Sequence, residues 1–339
     1  MRVLFITSTR LGDAVLTTGL LGHLVDQFPD ARFTIACGPI AAPLFQAVPR
    51  LDRTIAMPKR RLAGHWVDLW RQVVGHHWDL VVDLRDSAVS WLVLARRRAT
   101  FRGGDDRQPK VVSLGRVLGL DPPPAPRLFL NHALRAQARA MVGADDQAPI
   151  LALGPAANWT GKEWPADRFA ALARHLVVGP LAGGLAPARV MVLASEAERP
   201  RCAPVLEALA ADLGAHRLID LVGRTDPLLA GACLEHARLF VGNDSGLMHV
   251  AAAAGTPTLG LFGPTPVHLY APWGPRALAV MAPEEPQAAL SPEARMAALT
   301  LDRVERAAAD LLARVGPCQM GGGQMGGGQV EGRQRGGQL

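Results

Sequence analysis

No glutamate occurs before residue 163, and the whole chain of 339 residues holds one tyrosine and four cysteines. Each scarcity excludes something. Cys37, Cys202, Cys233 and Cys318 lie far apart with no CxxC spacing, so neither a zinc site nor a disulfide framework is expected, and they read as ordinary buried thiols. With a single tyrosine, the basic half lacks the interleaved aromatics of a base-stacking surface, which argues against nucleic acid as a partner. No apolar run reaches the roughly 20 residues that a membrane-spanning helix needs. The opening MRVLFIT is too short for a secretory signal and has no small-residue cleavage site, so a cytoplasmic location is expected.

What is present bounds the answer further. Apolar residues make up 49% and charged residues 19%, enough for a sizeable core, and the length corresponds to about two domains. The net charge of +6 is uneven. Residues 1–145 carry 20 Lys and Arg against 12 Asp and Glu, whereas the remainder carries 16 against 18. A basic first half suits an anionic partner, such as a phosphorylated headgroup or a membrane surface. It follows equally from a chain rich in Ala, Gly, Arg and Pro throughout.

Short apolar runs alternate with helical periodicity. Strands are predicted at Arg2–Thr7, Arg32–Ala36, Thr54–Met57 and Asp79–Leu84, with helices at Ala14–Gln27 and Ala63–His77. After the rigid DPPPAPR at Asp121–Arg127 the alternation resumes. Strands are predicted at Pro149–Leu153, Arg189–Ala194, Leu218–Val222, Leu239–Val241 and Thr256–Phe262, and helices at Pro165–Val178, Ala197–Leu213, Pro227–Glu235, Leu247–Ala254 and 301–315. This α/β pattern predicts two Rossmann-like domains, 1–145 and 146–315, facing a central cleft, with ligands at the carboxyl ends of the strands. The Gly/Gln-rich stretch 316–339 is expected to be disordered.

Three loops carry chemistry. Ser8-Thr9-Arg10-Leu11-Gly12-Asp13 follows the first strand, with Gly12 permitting the turn. Asp13 there is either a helix cap or a carboxylate placed to take a proton from an attacking hydroxyl. The spacing is not that of a dinucleotide fingerprint. Gly154–Pro165 follows the first strand of the second half. Its Lys162 is either a solvated surface charge or a phosphate contact, and Trp159 and Trp164 make the loop unusually aromatic. Asn243-Asp244-Ser245-Gly246-Leu247-Met248-His249 turns a strand into a helix whose first amides suit an anion, with Asp244 or Ser245 as cap, or Asp244 instead orienting the loop or acting on a ligand hydroxyl, and Gly246 leaving room for a phosphate. His249 alone is more often a satisfied structural histidine than a catalytic one. Gly263-Pro264-Thr265 closes the next strand, either lining the same pocket or making a plain turn.

The runs RLGDAVLTTGLL (Arg10–Leu21), Gly154–Pro165 with its GKxWP end, GNDSGLMHVAAAAGTPTLGLFGPT (Gly242–Thr265) and Trp273-Gly274-Pro275 resemble glycosyltransferase family 9, the ADP-heptose:lipopolysaccharide heptosyltransferases, over about residues 1–315. The resemblance implies a GT-B fold, inversion at the sugar carbon, and a nucleotide-sugar co-substrate with no cofactor or metal. It implies Asp13 as general base, Lys162 on the donor phosphates, and Asp244, Ser245, Gly246 and His249 around the donor. Glu196 becomes the candidate for the ribose or base. An anionic inner-core glycolipid is the implied acceptor, for which Lys59, Arg60, Arg61 and the Arg96–Arg98 run are candidates, unless the latter is a solvated helix end. Peripheral contact with the inner membrane surface would accompany such an acceptor. Gly19 stands where the family commonly has proline, a change expected to matter little. The rivals are an enzyme of the same fold using another nucleotide sugar, and a non-catalytic nucleotide-sugar or glycan-binding protein.

Overall fold

The computed structural model describes residues 1–143, 148–178, 185, 188–282 and 290–316. The first half contains strands β1 (Arg2–Ile6), β2 (Arg32–Cys37), β3 (Leu51–Ala56), β4 (His77–Asp83) and β5 (Leu94–Thr100). Its helices are α1 (Leu11–Leu16), α2 (Thr18–Gln27), α3 (Gly64–Val73), α4 (Lys110–Gly115) and α5 (His132–Val142). The second half contains β6 (Ile150–Gly154), β7 (Arg189–Val192), β8 (Leu218–Asp220), β9 (Leu239–Asn243), β10 (Thr258–Phe262) and β11 (Ala277–Met281). Its helices are α6 (Ala166–Val177), α7 (Arg199–Leu213), α8 (Pro227–Leu234), α9 (Gly246–Ala253), α10 (Val267–Tyr270), α11 (Pro292–Ala298) and α12 (Leu301–Val315).

Both sheets are parallel, ordered β3-β2-β1-β4-β5 and β11-β10-β9-β6-β7-β8. Helices cover them on both sides, which is why the central strands are apolar runs rather than alternating ones: RVLFI is buried after its first residue, and ILALG throughout. The chain starts each sheet near its middle, builds outward one way, then returns to the other side. The reversal falls between β1 and β4 in the first sheet and between β6 and β9 in the second. Each reversal opens a crevice at the carboxyl ends of the strands. Two Rossmann-like units are thus present, in the GT-B arrangement. The boundary expected at 145/146 and the tail 317–339 lie outside the described residues. Just before that boundary, α5 packs on α8 of the second half, and the buried Arg189 guanidinium donates to Val142 O at 2.8 Å and Gly143 O at 3.0 Å.

Several local readings need correcting. The helix expected at Ala14–Gln27 is two helices. Thr17 and Thr18 return their hydroxyls to Ala14 O and Val15 O, both at 2.7 Å, and Thr17 also meets the Thr7 hydroxyl at 2.8 Å. Such back-bonding bends a helix. Arg96–Arg98 is no helix end but part of β5, an edge strand whose side chains reach solvent. Gly19 is not incidental: a Cβ there would stand 2.2 Å from Pro124 O, because the 121–127 segment runs against α2 and donates Arg127 N to Thr18 Oγ1 at 3.0 Å.

Candidate active site

Asp13 rides on α1 at the carboxyl end of β1. It is not the helix cap; that position is Arg10, and no side chain caps the helix. Among the described residues the half-buried Asp13 carboxylate has no hydrogen bond and no ion pair. It faces the other half of the molecule, because α1 packs directly on α9. Two glycines make this approach feasible. A Cβ on Gly12 would lie 3.0 Å from His249 Cδ2, and one on Gly246 would lie 2.8 Å from Leu11 Cβ. Gly12 therefore serves interhelix contact rather than a turn, and the space beside Gly246 is filled by Leu11.

The second half supplies charges of both signs. Asn243, fully buried at the end of β9, accepts Trp164 N at 3.0 Å on Oδ1 and donates Nδ2 to Pro155 O at 2.7 Å. These bonds clamp the loop after β6 to the end of β9. Lys162 is thereby delivered to Asp244, with Nζ 2.6 Å from Oδ2 and side-chain exposures of 20% and 9%. Lys162 is therefore not a solvated surface charge. The two indoles separate in role: Trp164 is core, donating Nε1 to Leu299 O at 2.8 Å and meeting the Phe169 ring edge-on, whereas Trp159 is 40% exposed.

The start of α9 is open. Ser245 occupies the cap position without making a side-chain cap bond, and Asp244 is committed to Lys162. Neither performs the expected capping. Ser245 Oγ and His249 Nδ1 are both buried without a hydrogen-bond partner. His249 is thus not a satisfied structural histidine. Burial holds it below its usual value, the neighbouring carboxylates of Asp244 and Asp13 pull the other way, and Lys162 adds to the lowering. Unpartnered buried polar atoms are costly, and these two lie beside an uncapped helix start, an arrangement chemically able to receive an oxygen-rich anion.

Tyr270, the chain's single tyrosine, was not singled out by its sequence context. Burial raises its phenol above the ordinary value, with Asp13 and Asp244 contributing and Arg10 opposing, so its hydroxyl shares the same cleft. The Lys110 ammonium sits 5.9 Å above its ring, reaching across from the first half. Arg85 was also missed. Buried Asp83 folds the turn after β4 by accepting Arg85 N, Ser87 N and Ser87 Oγ at 2.9, 2.8 and 2.6 Å. The Arg85 guanidinium then lies 3.4 Å from both Ser8 Oγ and Thr9 Oγ1, in the loop that follows β1.

Other expected residues lie further out. Glu196 follows β7, on the same carboxyl edge, but is 73% exposed, 3.6 Å from Arg199 Nε and against the Gly223 turn. It does not touch the Lys162–Asp244 pair. Lys59, Arg60 and Arg61 follow the outer strand β3, two strand spacings from β1, or about 10 Å. Arg60 pairs with Asp68 at 2.7 Å and helps line an open depression of about 420 Å³ with Met57, His65 and Arg71.

Residues 110–299 match the family described as glycosyltransferase family 9 (heptosyltransferase). The chain belongs to glycosyltransferase family 9. As a family 9 glycosyltransferase it is 24% identical over 298 residues to lipooligosaccharide heptosyltransferase 2 of Haemophilus influenzae, covering 78% of this chain and 84% of that one. Its fold is similar to E. coli ADP-heptose lps heptosyltransferase II (TM-score 0.73, 20% identity, 93% of this chain and 99% of that). It is similar also to the family 9 glycosyl transferase of Veillonella parvula (TM-score 0.75, 20% identity, 92% and 97%). Among its described residues no helix is long and apolar enough to cross a membrane.

Proposed function

We propose that this family 9 enzyme transfers a heptose from ADP-heptose to an anionic inner-core glycolipid, with inversion, using the nucleotide sugar as co-substrate and no separate cofactor. The observation that carries the reading is the convergence on one cleft of an unpartnered carboxylate from the first half and an open helix start with a buried ammonium from the second. In this reading the donor diphosphate lies at the amides of α9, where Ser245 Oγ donates to it and Lys162 stays within reach. The nucleoside runs along the carboxyl edge past β7 towards Glu196. Asp13 takes the proton of the acceptor hydroxyl as that oxygen bonds to the anomeric carbon. The bond from that carbon to the diphosphate oxygen breaks, and the pair of electrons leaves with ADP. The growing charge on the leaving group is met by fixed amides and an ammonium, which need no reorganisation as it develops. His249, neutral because it is buried, offers one ring nitrogen to a donor hydroxyl without adding charge.

The acceptor's anionic groups meet Arg85 and Arg10 beside the base, with Lys59, Arg60 and Arg61 further along the rim. Such an acceptor places the enzyme in the cytoplasm, in peripheral contact with the inner membrane surface. Two measurements test the reading. Calorimetry should rank ADP-heptose above UDP- and GDP-sugars; tighter binding of either of the others would redirect the donor assignment. Asp13→Asn should lower kcat by about 10²–10⁴-fold, the usual worth of a positioned base, while ADP affinity is kept. Full turnover by that variant would remove the base from the mechanism.

A further inference from the structure

Three of the exposed apolar side chains of the first half fall in one short segment, whereas Ile40 follows β2 and Met1 precedes β1. Trp91, Leu92 and Leu94 are 55%, 62% and 68% exposed, and Val67 is 47% exposed on α3 nearby. The two segments adjoin, since Trp70 Nε1 of α3 donates to Leu92 O at 3.1 Å. At the start of α3, Leu62 is fully exposed and both it and Ala63 adopt left-handed backbone, with φ of 52° and 58°. Neither is glycine, so the turn holds Leu62 out against the ordinary preference of an L-residue's backbone.

The presentation of this patch is organised. Arg98 donates to Ser90 O, Ala95 O and Val93 O at 2.7, 3.2 and 2.7 Å, fixing the turn that carries Trp91 and Leu92. The Arg98 and Arg102 guanidiniums lie 5.8 and 5.9 Å from the centre of the Trp91 ring, which orients the indole while leaving more than half of it to solvent. Arg96 and Arg97 follow at once on β5, on opposite faces of an edge strand. Arg96 lies near Asp79, while Arg97 and Arg102 make no ion pair among the described residues. Charge on an edge strand alone would be explained as protection against edge-to-edge pairing. That explanation leaves Trp91, Leu92 and Leu94 without a reason, since exposed apolar groups would promote the association the charges prevent.

We propose that this flank, formed by α3, the turn at 91–93 and β5, docks on an anionic lipid surface. The pattern of groups matches that occupant. An indole settles at headgroup depth, leucines enter the acyl boundary, and guanidiniums meet lipid phosphates. At the other end of α3, Leu62 and Lys59–Arg61 follow β3, the opposite edge of the sheet from β5, so the flank runs along α3 from the β5 edge towards the β3 edge. The proposal rests on the glycolipid reading for its purpose but not for its test.

The experiment is co-sedimentation of the full chain with phosphatidylcholine vesicles, with and without phosphatidylglycerol. The chain should pellet with the anionic vesicles, less so at high salt. Trp91→Ser/Leu92→Ser/Leu94→Ser should weaken this at least about tenfold, and Arg97→Glu/Arg102→Glu at least about thirtyfold, given roughly a fivefold effect per basic residue near such a surface. Circular dichroism and ADP binding should be unchanged in both variants, which shows that they fold. No pelleting by the parent chain, or equal pelleting by parent and folded variants, overturns the proposal. So does a concentration-dependent dimer that the same substitutions abolish without any vesicle binding, which assigns the flank to a second copy. Vesicle binding without transfer from ADP-heptose leaves the docking surface standing and removes the functional reading alone.

Discussion

Replacing Lys162 by methionine separates the two duties of its ammonium. The Asp244 carboxylate is 9% exposed and 2.6 Å from Nζ, so the substitution leaves a buried charge without its partner. For a fully enclosed pair that costs about 3–5 kcal/mol. Lys162 is 20% exposed and water takes up part of its role, so the expected loss is about 2–3 kcal/mol. At roughly 2–4 °C per kcal/mol for a unit of this size, the melting midpoint should fall by roughly 4–12 °C. Adding Asp244→Asn removes the stranded charge, and the double variant should recover most of that midpoint. Activity should behave differently. Loss of one fixed positive group beside a leaving diphosphate is worth about 10²–10³ in kcat, and the second substitution should not restore it. Thermal denaturation and a transfer assay on the two single variants and the double complete the cycle. A double variant no more stable than Lys162→Met, or a Lys162→Met enzyme with full turnover, would show that the pair does not act as argued.

Other outcomes follow from the same geometry. Gly246→Ala places a methyl against Leu11, should cost about 1–3 kcal/mol through overpacking, and should lower transfer further by prising α1 from α9; unchanged melting and activity would contradict the direct helix contact. Trp164→Ala should cost about 3–5 kcal/mol in chemical denaturation, whereas Trp159→Ala should leave the midpoint within about 0.5 kcal/mol and act only on donor KM. His249 has a depressed value in the fold, so its unfolded form takes a proton first. Stability should be flat above about pH 6.5 and fall at lower pH, by up to about 1.4 kcal/mol per unit until the folded value is reached. His249→Gln should flatten that part of the curve; superimposable pH profiles would refute the assignment.

The three loops that build the cleft were legible because each joins an apolar run to a helix with polar residues at the junction, and parallel sheets put such junctions on one edge. What each side chain does there was less legible. Asp13, Asp244 and Ser245 all looked like caps, since a carboxylate or hydroxyl at a helix start is the usual cap. Only the tertiary contact with Lys162, and the α1–α9 approach, show why none of them serves as one. His249 looked structural for the same reason: the absence of a partner for Nδ1 is a fact about space, not spacing. β5 was invisible because its LARRRAT sequence has neither alternation nor an apolar run, a pattern tolerated only on an edge. α5 was passed over because its apolar face finds its partner, α8, about a hundred residues away. Tyr270 ends the four-residue helix α10 and Arg85 lies in the turn that Asp83 folds, and no periodicity marks either.

The touch between α1 and α9 has a mechanical meaning. Where two helix starts meet at van der Waals distance, the halves cannot come closer at that point without overlap. The contact therefore sets a lower limit on the gauge between Asp13 and the start of α9, however the outer rim moves.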